Sequence, residues 1–199
     1  MKRLIDIILA ILLVIILIPF FLLIGLIIFF SIGKPIFFTQ IRSGINGQNF
    51  TIYKFRSMIN NYDDINPLSD QERITKFGKF LRRTSLDELP ELINVILGDM
   101  SMVGPRPLLP EYELLYSDKQ RIRNTVLPGI TGLAQINGRN SITWEEKFNF
   151  DVWYVENRTI WLDLKILFLT AKKVFIQEGI YTNNNESMPP FEGSKEDEG

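Results

Sequence analysis

The chain has 199 residues, with 22 Lys and Arg against 23 Asp and Glu, and contains neither Cys nor His. This excludes thiol chemistry, disulfides, cysteine-based zinc sites and every His-dependent triad, so any catalysis falls to carboxylates, Lys, Arg, Tyr, Ser or Thr, with a hard metal such as Mg²⁺ as the natural helper. The near-neutral balance hides an asymmetry. Glu186, Glu192, Glu196, Asp197 and Glu198 face only Lys195 near the C-terminus, which leaves the rest of the chain basic and suited to an anionic lipid surface; nucleic acid is not an expected partner.

The uncharged run from Ile7 to Gly33 is almost all Leu, Ile, Val and Phe, with Pro19 near its centre. It exceeds the roughly 20 apolar residues that span a bilayer and has no small-residue cleavage site. Lys2 and Arg3 precede it, and Lys34, Arg42, Lys54 and Arg56 follow, so both flanks carry the cytoplasmic signature. Proline deprives the Ile15 carbonyl of its N–H partner, a loss that no water repairs in hydrocarbon. The expectation is a re-entrant helix-break-helix over residues 1–34 that bends at Pro19 and returns to the face it entered. The plainer alternative is a single transmembrane anchor.

Residues 35–182 form the expected catalytic domain. The β-rich runs Ile36–Ile41 and Phe50–Phe55 flank Asn46-Gly47 and predict a hairpin, with Lys54 and Arg56 on one strand face. In the stretch Arg73 to Arg83, the apolar Ile74, Phe77, Phe80 and Leu81 share a helical face ringed by basic residues. Such a helix lies in a lipid interface or packs on the core. Ser85-x-x-Glu88 matches a capping box, Pro90 suits a first turn and Gly98 an end, which predicts a helix from about Leu86 or Asp87. Helical patterns follow from Leu109 to about Arg123, after Thr143-x-x-Glu146, and from Ile160 to Gln177. The fold class is therefore α/β, helix-rich with a small hairpin or sheet on a membrane foot. Residues 183–199 read as an acidic, disordered tail.

Asp87 has two readings. Spacing alone favours a capping role for these acids. Chemically, a carboxylate at a helix N-terminus stays ionised, and an ionised Asp next to a phosphate is a nucleophile able to form an acyl-phosphate. Mg²⁺ would remove the repulsion between the two anions, with Glu88 as a second oxygen ligand. Lys54, Arg56, Arg106 (set between Pro105 and Pro107) and Arg139 are the candidate phosphate-binding cations.

Several segments in order carry a resemblance: Lys54-Phe55-Arg56-Ser57-Met58, Ser85 to Glu91, Gly98-Asp99-Met100-Ser101, Val103-Gly104-Pro105-Arg106-Pro107, Pro128 to Gly132 and Asn137-Gly138-Arg139. Together they resemble the bacterial sugar transferase family, and more narrowly the small monotopic phosphoglycosyl transferases, from Lys2 to about Gln177. The resemblance implies a UDP-sugar donor bound with Mg²⁺ and attack by Asp87 on the sugar-bearing phosphate, with release of UMP. The aspartyl phosphosugar then passes to undecaprenyl phosphate at the cytoplasmic face of the inner membrane, to begin glycan assembly, with later glycosyltransferases as possible partners. Where the family often has Ser before the membrane proline this chain has Ile18, and where it often has Arg before Pro128 it has Leu127. A hydrolase of nucleotide sugars and a silent scaffold are the competing expectations.

Overall fold

The computed structural model describes residues 1–59, 69–138, 141–176 and 189–194. Its first element, α1 (Lys2–Ser31), is the one helix among the described residues long and apolar enough to cross a membrane. Most of its side chains face outward, Leu12, Ile16, Leu22 and Phe30 among them, as in a helix made for lipid. One stripe does not: Asp6, Ala10, Ile24, Gly25 and Ile28 are buried. At the start, Lys2 Nζ donates to Asp163 Oδ2 at 2.7 Å, and Arg3 donates to the carbonyls of Met100 (3.0 Å) and Val95 (2.6 Å). At the far end, Ile24 and Ile28 close a cluster with Phe55 and Leu81. Both ends of α1 are thus fastened to one body, although a 30-residue helix is about 45 Å long. The expected break at Pro19 is not a gap, because α1 is continuous through it. A single missing N–H is tolerated in a helix this long.

After α1 comes an antiparallel hairpin of β1 (Phe37–Ser43) and β2 (Asn49–Phe55), with Phe38 opposite Lys54 and Arg42 opposite Phe50. The expected Asn-Gly turn is present: Asn46 and Gly47 take φ of 54° and 73°, the left-handed region these two residues enter most easily. A short α2 (Asp70–Arg73) precedes α3 (Lys76–Thr84). The latter begins later than the sequence pattern implied, because Ile74 bridges to Met58 and Thr75 supplies the N-cap. Leu81 is fully buried against Phe55 and α1, whereas Phe80, Arg82 and Arg83 are exposed. Core packing therefore claims part of this helix. A methyl at Gly78 would sit 1.8 Å from the Ser57 carbonyl oxygen, so α3 presses directly on the chain leaving the hairpin.

A 3₁₀ turn (Leu86–Glu88) leads into α4 (Glu91–Leu97), which lies against α1 and stops at Gly98, φ 109°. Two short strands, β3 (Ser101–Val103) and β4 (Gly129–Thr131), then pair in parallel, Ser101 opposite Gly129. Between them the single helix expected over Leu109–Arg123 is replaced by a 3₁₀ segment (Pro110–Leu115), α5 (Asp118–Arg121) and another 3₁₀ turn (Ile122–Thr125). Ser117 and Gln120 form a capping box that starts a new helix and so ends the old one. Then follow α6 (Leu133–Asn137), α7 (Trp144–Asn157) and α8 (Ile160–Ile176). The Thr143–Glu146 capping box forms as expected.

The main core gathers Ala10, Val95, Met100, Val103, Tyr154 and Ile166. A second cluster joins Tyr116, Phe148 and Phe191, edged by Tyr112 and Trp144. Phe191 belongs to the segment expected as a disordered tail, yet it is buried, and Trp144 Nε1 donates to the Pro189 carbonyl at 2.9 Å.

Candidate active site

Ser85 takes a left-handed conformation, φ 57°, and ends α3; the chain turns through Leu86–Glu88 before α4 begins. The expected Ser85–Glu88 capping box does not form, because the Glu88 carboxylate is taken by cations. Arg106 grips it with both nitrogens of its fork: Nη2 bonds Oε1 and Nη1 donates to Oε2 at 3.3 Å. Lys54 Nζ donates to Oε1 at 2.7 Å. Burial pushes the Glu88 pKa up, but Arg106 and then Lys54 outweigh it and hold the acid well below the usual carboxylate range.

Asp87 has a different environment. It is 8% exposed and sits in the 3₁₀ turn rather than the first turn of α4. The expected depression by a helix dipole is overturned: burial, then the Glu88 charge, push it up to about 6, against the pull of Lys54, Arg82 and Arg106. Glu91 is more deeply enclosed, at 1% exposure. Its Oε1 lies 3.2 Å from Lys54 Nζ, but the ammonium's aligned hydrogen bond goes to Glu88, and Oε1 accepts none. Burial and then Glu88 push Glu91 up to about 7. Glu88 therefore holds Lys54 and Arg106, and Asp87 and Glu91 beside it titrate near neutrality.

The supports of this cluster are specific. Asn94, fully buried on α4, donates to the Thr51 carbonyl at 2.7 Å and accepts from the Tyr53 N–H at 3.2 Å. It clips α4 to β2 next to Lys54. Arg106 leaves the β3–β4 pair: Gly104 N donates to Thr131 O and Gly129 N to Pro105 O, both at 2.9 Å. A methyl at Gly129 would lie 2.0 Å from Gly104 N, which explains glycine in both motifs by backbone contact. The Arg106 carbonyl accepts from Arg123 Nη2 at 2.6 Å, and Arg123 pairs with Asp151 at 3.0 Å. Arg123 is 3% exposed and lies over the Tyr116 and Phe148 rings. Other cations crowd Arg106. Burial first, and Arg106 second, push Arg42 down and Lys147 down to about 8.

Of the residues singled out by sequence, Asp87, Glu88, Lys54 and Arg106 come together. Arg56 does not join them. It is 5% exposed and donates to the carbonyls of Met58 (2.9 Å) and Lys34 (2.7 Å), which ties the hairpin to the chain leaving α1. Arg56 lies one residue past the end of β2, where the carbonyls of Met58 and Lys34 take its guanidinium. Arg139 lies outside the described residues. Glu91, Arg42, Arg123 and Lys147 were not anticipated, since nothing in their local sequence separates them from surface charge.

Among the described residues no group of three or more acidic side chains makes a ready metal cage. For Mg²⁺, which commonly takes one or two carboxylates with substrate phosphates and water, Asp87 is the carboxylate without an ion pair among the described residues, since both Glu88 oxygens are held by Arg106 and Lys54. An apolar groove of about 450 Å³, lined by Leu133, Glu146, Asn149, Phe150 and Trp153, lies between α6 and α7 and contains none of these acids.

Comparison with known proteins covers nearly the whole chain. The family described as "Bacterial sugar transferase" matches residues 1–177. The "Uncharacterized sugar transferase EpsL" of Bacillus subtilis is 54% identical over 165 residues, 82% of each chain. The "UDP-glucose:undecaprenyl-phosphate glucose-1-phosphate transferase" of Klebsiella pneumoniae is 43% identical over 90% of this chain but only 41% of its own length. The "Exopolysaccharide production protein ExoY" of Sinorhizobium fredii is 40% identical over 90% of this chain and 88% of its own.

Proposed function

Because the chain belongs to the bacterial sugar transferase family, we propose that it transfers a sugar phosphate from a UDP-sugar to undecaprenyl phosphate and releases UMP, at the start of bacterial glycan assembly. One observation carries the reading: a buried, poorly paired Asp87 lies beside a carboxylate held by a bidentate arginine and a lysine. The reaction and substrates stated in the Klebsiella relative's name, and the exopolysaccharide role in the ExoY name, support it.

In this reading an Asp87 carboxylate oxygen attacks the phosphorus that carries the sugar. A bond from aspartate to phosphorus forms as the bond to UMP breaks. The phosphate oxygen of the lipid then attacks the same phosphorus, forming a polyprenyl diphosphosugar and freeing Asp87. One phosphoanhydride replaces another, so no ATP is consumed. At neutral pH most Asp87 is ionised, and its raised pKa makes it a better nucleophile than an exposed aspartate. Arg106 and Lys54 stand where negative charge gathers on the transferred group. Glu88 fixes both cations. Asp87, joined by Glu88 only if that acid exchanges Lys54 or Arg106 for the metal, would hold Mg²⁺, which would neutralise charge on the donor diphosphate.

The membrane seat follows the same reading. With α1 tied to the body at Lys2 and again at Ile28, a helix dipping into the cytoplasmic leaflet and returning satisfies both anchors. A straight span would carry one anchor across the bilayer. Pro19 is the proposed point of yield. The acceptor's tail then lies in lipid while its phosphate meets Asp87 at the surface. Labelling an engineered cysteine near Met1 from each side of intact inner membranes tests this. Reaction only from the periplasmic side would refute a one-sided seat.

Purified protein with Mg²⁺, undecaprenyl phosphate and a panel of UDP-sugars tests the reaction through UMP release. Multiple-turnover UMP release that needs the lipid supports transfer. Steady UMP without lipid would show a hydrolase, and no UMP from any donor a scaffold.

A further inference from the structure

Close to its C-terminus the chain lies back on the body of the molecule, against the aromatic cluster behind the Arg106 loop. Trp144 Nε1 donates to the Pro189 carbonyl at 2.9 Å, and the buried Gln120 donates through Nε2 to Ser194 Oγ. Between these two ties Phe191 is only 5% exposed. Its ring meets that of Phe148 edge-on, with centroids 4.9 Å apart, and lies 5.5 Å from Trp144, 5.8 Å from Tyr112 and 6.1 Å from Tyr116. Phe191 stands outside residues 1–177, the part that the family matches, and the transfer chemistry above does not use it.

Its partners give it a place in the site. Tyr116 and Gln120 belong to the stretch around α5 that leads into Arg123, while Trp144 and Phe148 belong to α7, which carries Asp151. Pro189–Ser194 therefore ties together the two elements across whose seam Arg123 and Asp151 pair at 3.0 Å. The rings that Phe191 covers are the ones on which that pair rests. The Arg123 guanidinium carbon lies 5.7 Å from the centre of Phe148 and 5.8 Å from that of Tyr116, and its Nη1 donates to the Tyr116 hydroxyl at 3.4 Å. The same guanidinium donates through Nη2 to the Arg106 carbonyl at 2.6 Å, and the Arg106 fork holds Glu88, the neighbour of Asp87. One layer of rings and one guanidinium thus separate Phe191 from Arg106, each in direct contact with the next. Stripping the cover from that layer admits water to the Arg123–Asp151 pair, and a solvated ion pair holds its geometry weakly.

We infer that Phe191 is a positioning residue for the transfer reaction: by closing the ring layer under Arg123 it holds Arg106 where charge gathers on the transferred phosphoryl group. The inference rests on the reaction proposed above and gives the C-terminal segment a part in it. Arg106 meets charge that is greatest in the transition state, so a loosened loop lowers kcat and leaves the binding of both substrates nearly unchanged.

The test compares full-length wild type, Phe191→Ala and Phe191→Leu. It measures kcat and KM for each substrate by UMP release, and amide hydrogen exchange by mass spectrometry. Phe191→Ala should lower kcat about tenfold and keep both KM values within about twofold. Phe191→Leu, which refills part of the space, should lose about threefold, and stands in if the alanine variant fails to fold by circular dichroism. Exchange should quicken in peptides that cover Arg106 and Arg123 and stay at the wild-type rate in the β1–β2 hairpin. A folded variant with wild-type kcat, a loss confined to KM, unchanged exchange at Arg106, or exchange that quickens equally in the hairpin would overturn the role and leave the segment a general stabiliser of the fold. A wild type that turns over no UDP-sugar would instead overturn the reaction, and exchange at Arg106 would then decide the tie alone.

Discussion

Arg123 and Lys54 both help to anchor the Arg106 loop, and their surroundings differ in one respect. Around Arg123, cation and acid are matched one to one. Its three nitrogens reach Asp151, the Arg106 carbonyl and the Tyr116 hydroxyl, with aromatic rings above them. Around Lys54, Glu88 and Glu91 both approach one ammonium, and Asp87 makes no ion pair among the described residues. A matched pair has one stable charge state and behaves as a strut. Burial first, and the Glu88 charge second, make Asp87 and Glu91 hold their protons more tightly than exposed acids do, up to about 6 and about 7, while Glu88 stays ionised. The difference teaches that burial alone does not mark the reactive site; a buried acid without an ion-pair partner of its own does.

The sharpest way to break this comparison is Asp87→Asn. An amide cannot form the acyl-phosphate, so turnover in the UMP assay should fall at least about a thousandfold with an unchanged melting curve. Retained turnover would remove Asp87 from the mechanism. Arg123→Ala should show its damage in stability. Stranding Asp151 without its partner should cost about 3–5 kcal/mol in denaturant unfolding, and restoring balance with Arg123→Met and Asp151→Leu together should recover most of it. A single variant as stable as wild type would show that the strut is dispensable.

Two finer effects follow from titration. The free enzyme needs Asp87 ionised, so kcat/KM for the UDP-sugar should fall as pH drops through about 6, the tenfold-per-unit decline of a required base. A profile flat down to pH 4.5 would contradict the burial assigned to it. Glu91 should affect stability instead. Its folded pKa, about 7, exceeds the ordinary 4.5, so the folded state binds more protons, and the stabilisation is full below about 4.5 and lost as pH rises through 7. Glu91→Gln removes that loss. It should raise the melting temperature by about 2–4 °C at pH 8 and change it little at pH 4.5. An equal shift at both values would mean that Glu91 does not titrate in this range.

Local chemistry made much of this molecule readable in the chain. The apolar run of α1, the Asn46-Gly47 turn, the Gly98 stop and the Thr143–Glu146 cap follow from rules that act within a few residues, and all appear in the fold. The absence of His and Cys confined catalysis to carboxylates and cations, and the Asp87-Glu88 pair stood out for that reason. What lay beyond sequence depends on contacts across long separations. Ser85-x-x-Glu88 met the requirements of a capping box, but Arg106 and Lys54, distant in sequence, took the carboxylate. Lys54 and Arg56 shared a strand face on paper; the carbonyls of Lys34 and Met58 claimed one and the acids the other. Arg123 resembled any surface arginine until Asp151 and two rings closed over it. Short-range geometry and composition are properties of the chain itself. Charge state, solvent access and the choice among competing partners arise only when distant segments meet and water is excluded, so they belong to the packed molecule.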